Sequence, residues 1–222
     1  MTPLQKGEAK GGEVDNMQIG FYFDQTRCTG CYTCIVACKD WHDVPAGPAA
    51  YRRVTTIEKG KYPSPFVAYL ATSCYHCTQP DCVAACPAGA IAKRKEDGIM
   101  VVDREACLGH DKCDACLQAC PYNAPQFASE PNAKMQMCTL CLDRWQEGKK
   151  PICVDGCPMR ALDAGTMEEL EHKYGRNRNA EGFVYSRKTR PSVAFKPKLA
   201  LSELNREAGR ITVAPLTPLG NS

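Results

Sequence analysis

The residues of this chain best suited to chemistry are its cysteines, of which there are 16 among 222 residues. They fall into four groups of four, none is left over, and every group ends in C-x3-C. The groups, in chain order, are Cys28, Cys31, Cys34 and Cys38; Cys74, Cys77, Cys82 and Cys86; Cys107, Cys113, Cys116 and Cys120; and Cys138, Cys141, Cys153 and Cys157. Thiolates at such spacings are typical ligands of iron-sulfur clusters. The sequence therefore predicts four 4Fe-4S clusters, whose chemistry is single-electron transfer.

The short spacing within each group has a chemical reason. Two residues between ligands let three thiolates converge on three corners of one cube, while backbone amides of the loop point at the sulfurs. The fourth cysteine is expected to lie on a helix and to point away from its own loop. In bacterial two-cluster ferredoxins this cysteine ligates the other cluster of the pair. Each module therefore needs two groups and holds two clusters.

Two other uses of the cysteines compete with this one. Residues 1–16 are polar and show neither the apolar core of a secretory signal nor an arginine pair, so we expect a compartment in which thiols stay reduced. A disulfide scaffold is then a poor explanation. The C-x2-C pairs of the second and fourth groups also occur in tetrahedral zinc sites. Zinc ribbons, however, separate two pairs by a long spacer, whereas three of these groups end in C-x3-C-P.

The elements that must position the ligands are indicated by the segments between the groups. Residues 87–106 hold a short link, a turn at 96–98 and a strand at 99–102, which is the layout of a compact two-cluster ferredoxin. The first and fourth groups are then left to pair with each other around it. We expect an α+β fold of two interlocked ferredoxin-like modules, with an inserted hairpin near residues 51–71.

This layout predicts five parts of the chain. They are an N-terminal arm (1–19), a first module (20–50 with 126–172), the inserted hairpin (51–73), a second module (74–125) and a basic C-terminal arm (173–222). Residues 173–198 contain eight Lys or Arg and one acid, Glu181, together with Phe183, Tyr185 and Phe195. Nucleic-acid binding is not expected, because no recognised nucleic-acid-binding fold accompanies the basic run. We interpret the run as a surface arm that contacts a partner subunit.

Residues 20–170 resemble a known family. The most specific stretches are 28–31, 37–40, 119–126, 134–141 and 157–162. They are similar to the four-cluster subunit of the dimethyl sulfoxide reductase superfamily, which includes subunits of polysulfide, tetrathionate, arsenate and formate-converting enzymes. The resemblance implies a subunit that passes single electrons between a molybdenum- or tungsten-pterin catalytic subunit and a quinone-linked membrane anchor or another carrier. A free-standing soluble polyferredoxin is the alternative.

The same resemblance implies how the ligands are shared, with three cysteines of one group and the last cysteine of its partner group at each cluster. The implied sets, called sites A to D below, are Cys28, Cys31, Cys34 and Cys157 (site A); Cys138, Cys141, Cys153 and Cys38 (site B); Cys74, Cys77, Cys82 and Cys120 (site C); and Cys107, Cys113, Cys116 and Cys86 (site D).

The third group departs from the family pattern. Family members of this type usually have two residues between its first ligands, but here residues 108–112 intervene between Cys107 and Cys113. One interpretation is a bulged loop that still delivers Cys107 to its iron. The other is a displaced Cys107, which would leave a three-iron cluster or an iron held by His110. Imidazole ligation is associated with higher reduction potentials than thiolate ligation.

The rest of the sequence limits the other functions of the chain. No apolar run approaches the ~20 residues that a membrane-spanning helix requires. No nucleophile with an adjacent base, phosphate-binding glycine loop or open metal site is recognisable, so we expect no catalysis by this chain alone. We expect it in the cytoplasm, or exported together with a partner subunit. The substrate of the complex is not encoded in these patterns.

Several side chains near the cysteines have a more ordinary interpretation. A solvated charged face is expected for most of Lys39, Lys93, Arg94 and Lys95, with stabilisation of reduced clusters as the alternative. Packing is expected for Trp41, Tyr75, Tyr122 and Trp145. His76 is expected to hydrogen-bond within its loop, and His42 gives no functional signal.

Overall fold

The computed structural model describes residues 17–63, 65–198 and 209–210. Its strands are β1 (Ile19–Asp24), β2 (Arg53–Lys59), β3 (Phe66–Thr72), β4 (Ile91–Lys93), β5 (Met100–Val102), β6 (Leu162–Thr166), β7 (Val193–Lys196) and β8 (Gly209–Arg210). Its helices are α1 (Thr33–Trp41), α2 (Asp81–Ala84), α3 (Ala115–Ala119), α4 (Leu142–Gln146), α5 (Ile152–Asp155) and α6 (Met167–Tyr174). The N-terminal arm predicted for 1–19 falls mostly on residues 1–16, which lie outside the described residues.

Three small sheets organise the described part of the chain. β1 is the middle strand of the first, antiparallel to β6 and parallel to β7. β2 and β3 form an antiparallel hairpin from the Arg53 and Thr72 pair to the Lys59 and Phe66 pair, in the segment predicted to be a hairpin, and β8 pairs with β2. β4 and β5 form the third sheet within the expected ferredoxin-like segment. This mixture of short strands and helices agrees with an α+β class.

The first sheet corrects the prediction for the C-terminal arm. Val193, Ala194 and Phe195 are 0–1% exposed, because β7 pairs with β1 along its whole length. The Phe195 ring packs against Phe183, with ring centroids 4.6 Å apart. A surface arm over the whole of 173–198 is therefore wrong, since residues 193–195 belong to the core. Of residues 199–222, only the backbone of β8 is described.

The third cysteine of every group lies on a short helix, whereas the fourth, which was expected on a helix, lies on one only in the first group. α1 carries both Cys34 and Cys38, whereas Cys120 is the C-terminal cap of α3. α1 packs against α5, and α2 packs against α3. A Cβ at Gly156 would lie 3.3 Å from the Ala37 Cβ, so the end of α5 approaches α1 closely. These two helix pairs bring the first group to the fourth and the second group to the third.

The hydrophobic core is built around the cysteines rather than apart from them. One contiguous cluster of buried side chains includes aromatic residues of β1 and β7 and six of the thiols. The thiols in it are Cys34, Cys74, Cys116, Cys138, Cys153 and Cys157. Among the described residues, no helix combines the length and the apolar character needed to cross a bilayer.

Candidate iron-sulfur centres

Site A is lined by all four thiols of its predicted set. Cys28, Cys31, Cys34 and Cys157 border one cavity of about 340 Å³ that is partly open to solvent. Cys31 is exposed, whereas Cys34 and Cys157 are buried. The loop that carries the first two thiols turns at Gly30, whose φ of 68° is left-handed. The structure thus brings the first and fourth groups together.

Site D also gathers its predicted set. The thiols that border its cavity of about 320 Å³ are those of Cys86, Cys107, Cys113 and Cys116. The inserted residues 108–112 therefore bulge without removing Cys107 from the cavity. His110 is exposed and does not border the cavity, and its ring stacks on Phe127 with centroids 4.4 Å apart. The geometry favours the bulged-loop interpretation over an iron held by His110.

Site B lies deeper, and all four of its thiols are buried. Burial raises the pKa of Cys38, and the nearby Cys138, Cys153 and Cys141 sulfurs raise it further. Burial and the Cys138 sulfur likewise raise the pKa of Cys141, to about 12. Four thiolates cannot share such a pocket without a compensating positive charge, and bound metal provides one.

Site C is assembled from the loop after β3, from α2 and from the end of α3. Burial raises the pKa of Cys82 to about 12, with further contributions from Cys120 and Cys77. Burial also raises the pKa of Cys77, to about 11, and the nearby Cys120 sulfur raises it further. Cys74 is buried, and burial raises its pKa well above the ordinary value. The four predicted ligands are therefore close neighbours.

Electrostatic interactions between thiols of different sites give the four sites an order. Burial has the largest effect on each of these thiols, and a thiol of the next site raises the pKa further. The pairs are Cys34 of site A with Cys153 of site B, Cys74 of site C with Cys138 of site B, and Cys82 of site C with Cys116 of site D. The sites thus follow one another as A, B, C and D.

Backbone amides point at the sulfurs in a recurring pattern, as the spacing predicts. The amide two residues after the first cysteine approaches its sulfur at 3.4 Å in two groups, from His76 to Cys74 and from Leu140 to Cys138. The amide four residues after the last cysteine does the same at 3.3–3.4 Å in three groups, from Ala90 to Cys86, from Ala124 to Cys120 and from Ala161 to Cys157. Such amides stabilise negative charge on sulfur.

Three side chains that sequence reasoning missed also contact cysteine sulfurs. Within the first group, the Thr33 hydroxyl donates to the Cys31 Sγ at 3.4 Å, and the other two are Arg52 and His42. Arg52 is 2% exposed, and its Nη2 donates to the Cys153 Sγ at 3.3 Å. His42 Nε2 lies 3.2 Å from the Cys141 Sγ. Neither residue belongs to a cysteine group, and Arg52 lies at the edge of the hairpin segment. The only sequence signal for His42 is its position four residues after Cys38, one helical turn further along.

His76 lies between two ligands of site C but is held by another element. Its Nδ1 accepts a hydrogen bond from the Met100 amide of β5 at 2.9 Å, and the ring is buried. Burial lowers the pKa of His76 to about 3, with smaller contributions from the positive charges of Lys93 and Arg52, so the ring is neutral at pH 7. The expected hydrogen bond is present, but its partner is on β5 and not in the histidine's own loop.

The four basic side chains that lie near the cysteines in sequence have different surroundings. Lys39 donates to backbone carbonyls of the loop after α1, and Arg94 forms an ion pair with Asp97 within its own turn. Lys95 is exposed. Lys93 donates to the Gln18 side chain at 2.6 Å and is among the smaller effects that lower the pKa of Cys77. Of these four, only Lys93 has a described influence on a site C thiol.

Two of the aromatic residues near the cysteines, Tyr75 and Tyr122, pack against other aromatic rings. Tyr75 is 2% exposed and meets Tyr122 and Phe183 edge to face, with ring centroids 5.1 and 5.4 Å apart. Trp41 differs, since it is 43% exposed and donates to the Asp143 carboxylate at 2.7 Å. The rings beside site C therefore exclude water, while the ring near site B lies at the surface.

The sites fit 4Fe-4S clusters by the chemistry of their donors. All sixteen cysteines are free thiols in the structure, and thiolates are the ligands that these clusters take. Sites A and D surround cavities, and amide donors face sulfurs of all four sites. When bound, each cluster supplies one-electron oxidation and reduction. The protein's part is to hold the clusters, limit their contact with water and set their potentials.

The short helices, the small sheets and the thiol sets define an iron-sulfur protein of the two-cluster ferredoxin type. Two family models, each described as a 4Fe-4S dicluster domain, match residues 65–167 and residues 27–91. Two matches to a two-cluster domain indicate four 4Fe-4S clusters.

Similar proteins identify the family more closely. One of the chains of the anaerobic dimethyl sulfoxide reductase of Escherichia coli K12 is 43% identical over 188 residues, which cover 81% of the present protein and 89% of that relative. One of the subunits of the sulfite dehydrogenase of Allochromatium vinosum is 31% identical over 82% of the present protein and 83% of its own length. The thiosulfate reductase electron transfer subunit PhsB of Salmonella typhi is 36% identical over 67% of the present protein and 76% of its own length. The protein belongs to the family of iron-sulfur subunits that includes the Escherichia coli dimethyl sulfoxide reductase chain.

Proposed function

We propose that this chain is the electron-transfer subunit of an oxidoreductase complex and that it relays single electrons through four 4Fe-4S clusters. The observation that carries this proposal is the unbroken series of electrostatic interactions between thiols of neighbouring sites, from site A through sites B and C to site D. Such a series gives an electron a route across the whole molecule. The chain itself performs no substrate chemistry in this proposal.

The sixteen cysteines are the proposed iron ligands, in the four sets defined as sites A to D. Sites A and B form the first module, from residues 20–50 and 126–172, and sites C and D form the second, from residues 74–125. The cavities at sites A and D support this division, as does the packing of α1 on α5 and of α2 on α3. The two modules interlock because the second lies between the two halves of the first along the chain.

The proposed partners are a molybdenum- or tungsten-pterin catalytic subunit at one end of the relay and a quinone-linked membrane anchor or another redox protein at the other. The relatives are named as components of two reductases and a dehydrogenase, which favours a complex over a free-standing polyferredoxin. In this proposal the chain works on the side of the membrane where its catalytic partner works, and any attachment to the membrane is made through a partner.

The first test measures the iron and sulfide content of the chain and its association with a partner subunit. Anaerobically purified chain should contain about 16 iron atoms and about as much inorganic sulfide, as four 4Fe-4S clusters require. In gentle purification from its source, it should remain bound to a larger pterin-containing subunit. Zinc in place of iron would overturn the cluster assignment, and a chain recovered with all its clusters but without such a partner would favour the polyferredoxin.

The second test addresses the relay. Cys82→Ser should remove or alter the cluster at site C, an interior site, and should sharply slow electron passage through an otherwise assembled complex. Lys95→Gln, a change at an exposed position in the same module, serves as the control and should leave the rate unchanged. An unchanged rate in a Cys82→Ser complex that has lost this cluster would contradict the relay.

A further inference from the structure

Arg52 is a buried cation without an acidic partner. Its side chain is 2% exposed, and its guanidinium lies over the Phe21 ring, 4.5 Å from the centroid. None of the ion pairs among the described residues includes it, and its Nε has no hydrogen-bond partner there. Burying a guanidinium away from water is strongly unfavourable unless a negative charge lies nearby. The surroundings of Arg52 must therefore supply one.

The negative charge available to Arg52 is that of cysteine sulfurs from two sites. Its Nη2 donates to the Cys153 Sγ of site B at 3.3 Å. The positive charge of Arg52 also acts on the Cys34 sulfur of site A and on the Cys138 sulfur of site B. Arg52 thus contacts site B directly and lies within electrostatic range of site A.

The neighbouring Arg53 makes contacts that differ from those of Arg52. Its Nη1 and Nη2 donate to the backbone carbonyls of Asn123 and Tyr122, at 2.6 and 2.8 Å. Arg53 therefore holds the loop that follows Cys120, whereas Arg52 turns inward to the sulfurs. Two consecutive arginines have different roles, and only the first places its charge between two sites.

We propose that Arg52 is the fixed counter-charge of sites A and B and that it raises the reduction potentials of the clusters held there. This inference rests on the proposed function, in which both sites hold clusters. Reduction transfers one electron from a neighbouring cluster or redox partner to the cluster and adds one negative charge to it. A nearby buried cation stabilises the reduced form more than the oxidised form, and the low local dielectric leaves this effect weakly screened. Arg52 is a positioning residue that tunes the relay without carrying the electron.

The test is an anaerobic redox titration of the full chain with its clusters, followed by electron paramagnetic resonance. In Arg52→Met, the equilibrium constant for reducing the clusters at sites A and B should fall about tenfold, which is 59 mV for one electron. Site D should keep its potential, and site C should shift less than sites A and B. Arg52→Lys keeps the charge and should stay near the wild-type potentials. The control is Arg176→Gln, which removes a charge from a side chain that is 86% exposed, and it should shift none of the four.

Each outcome of this titration either supports or overturns the proposed role of Arg52. Unchanged potentials in an Arg52→Met protein with four clusters would overturn the proposal, as would an equal shift in the Arg176→Gln control. If Arg52→Met fails to load its clusters, Arg52→Lys decides: four clusters at wild-type potentials support the counter-charge, while a lysine variant that also fails shows that guanidinium packing matters instead. The titration needs no partner subunit, so failure to bind a catalytic subunit would sink the proposed complex and leave this result intact.

Discussion

At the residue scale, the sulfurs of the four sites meet backbone amides and three side chains. Backbone amides contact sulfurs of all four sites, the Thr33 hydroxyl reaches Cys31, the His42 imidazole reaches Cys141, and the Arg52 guanidinium reaches Cys153. The amides follow from the cysteine spacing, because each tight loop presents them to its own ligands. Thr33 lies within the first cysteine group, whereas His42 and Arg52 come from outside the motifs. Differences in cluster potential between the sites are therefore expected to depend on these side chains more than on the backbone amides.

The loop between Cys107 and Cys113 offers a paired test of ligation. Cys107→Ser should alter the cluster at site D, with a loss of between about one and four iron atoms per chain, because a thiolate ligand is removed. His110→Ala should keep all the iron and leave the resonance spectrum of site D unchanged, since its ring lies outside the cavity. Iron analysis and electron paramagnetic resonance of the two variants decide this. Loss of iron in His110→Ala would restore the imidazole-ligand interpretation.

How far the candidate sites can be predicted from sequence depends on how local each feature is. The sixteen cysteines can be recognised because their spacing is a contiguous pattern. Arg52 cannot be recognised in this way, because its role depends on the fold bringing Cys34 and Cys153 to it from distant parts of the chain. The same holds for His76, whose partner Met100 lies on a strand of another sheet. Contacts between residues that lie far apart in the sequence cannot be recognised from the spacing of residues along the chain.

At the element scale, the loop of site A depends on a glycine. Gly30 has a φ of 68°, and a Cβ there would lie 2.4 Å from the Tyr69 ring. Gly30→Ala should therefore destabilise the folded chain by more than the ~1–2 kcal/mol of a left-handed alanine, and the cluster at site A should be the first to be lost on warming. Gly89→Ala is the matched control, since Gly89 has a φ of 61° but no atom within 4 Å of a Cβ. Equal destabilisation of the two variants would refute the predicted clash.

The third strand of the first sheet gives the second prediction at this scale. Phe195→Ala should cost about 3–5 kcal/mol, because it leaves a cavity beside Phe183 in the buried part of the strand. The thermal midpoint of the anaerobic holoprotein should fall by roughly 6 °C or more. Val184→Ala, at a side chain that is 82% exposed, should change stability by less than about 0.5 kcal/mol. A thermal midpoint of Phe195→Ala equal to that of the wild type would mean that this strand is not part of the stable core.

The same strand shows why part of the fold was mispredicted. The segment around Val193–Lys196 is short and lies within a run of basic residues, so composition favoured a surface arm. Its pairing with β1 depends on a strand near the other end of the described chain. The hairpin of β2 and β3 was easier to predict, because its strands are neighbours along the chain. Local pairing was visible in the sequence, and distant pairing was not.

At the scale of the whole molecule, folding and cluster binding are coupled, because six of the thiols belong to the main hydrophobic core. Removing iron with a chelator under reducing conditions should abolish most of the far-ultraviolet circular dichroism signal, since the vacated interior would leave poorly packed, ligand-rich loops. Re-adding iron and sulfide should restore the signal. Full retention of the signal in iron-free protein would show that the strands and their apolar contacts suffice without clusters.

The shared cavity of Cys28 and Cys157 has a consequence for how the molecule is made. Synthesis proceeds from the N-terminus, so the thiols of sites C and D have all emerged once Cys120 is clear of the ribosome. Those of sites A and B must wait for Cys153 and Cys157. Sites C and D can therefore form on the nascent chain, whereas sites A and B are completed last.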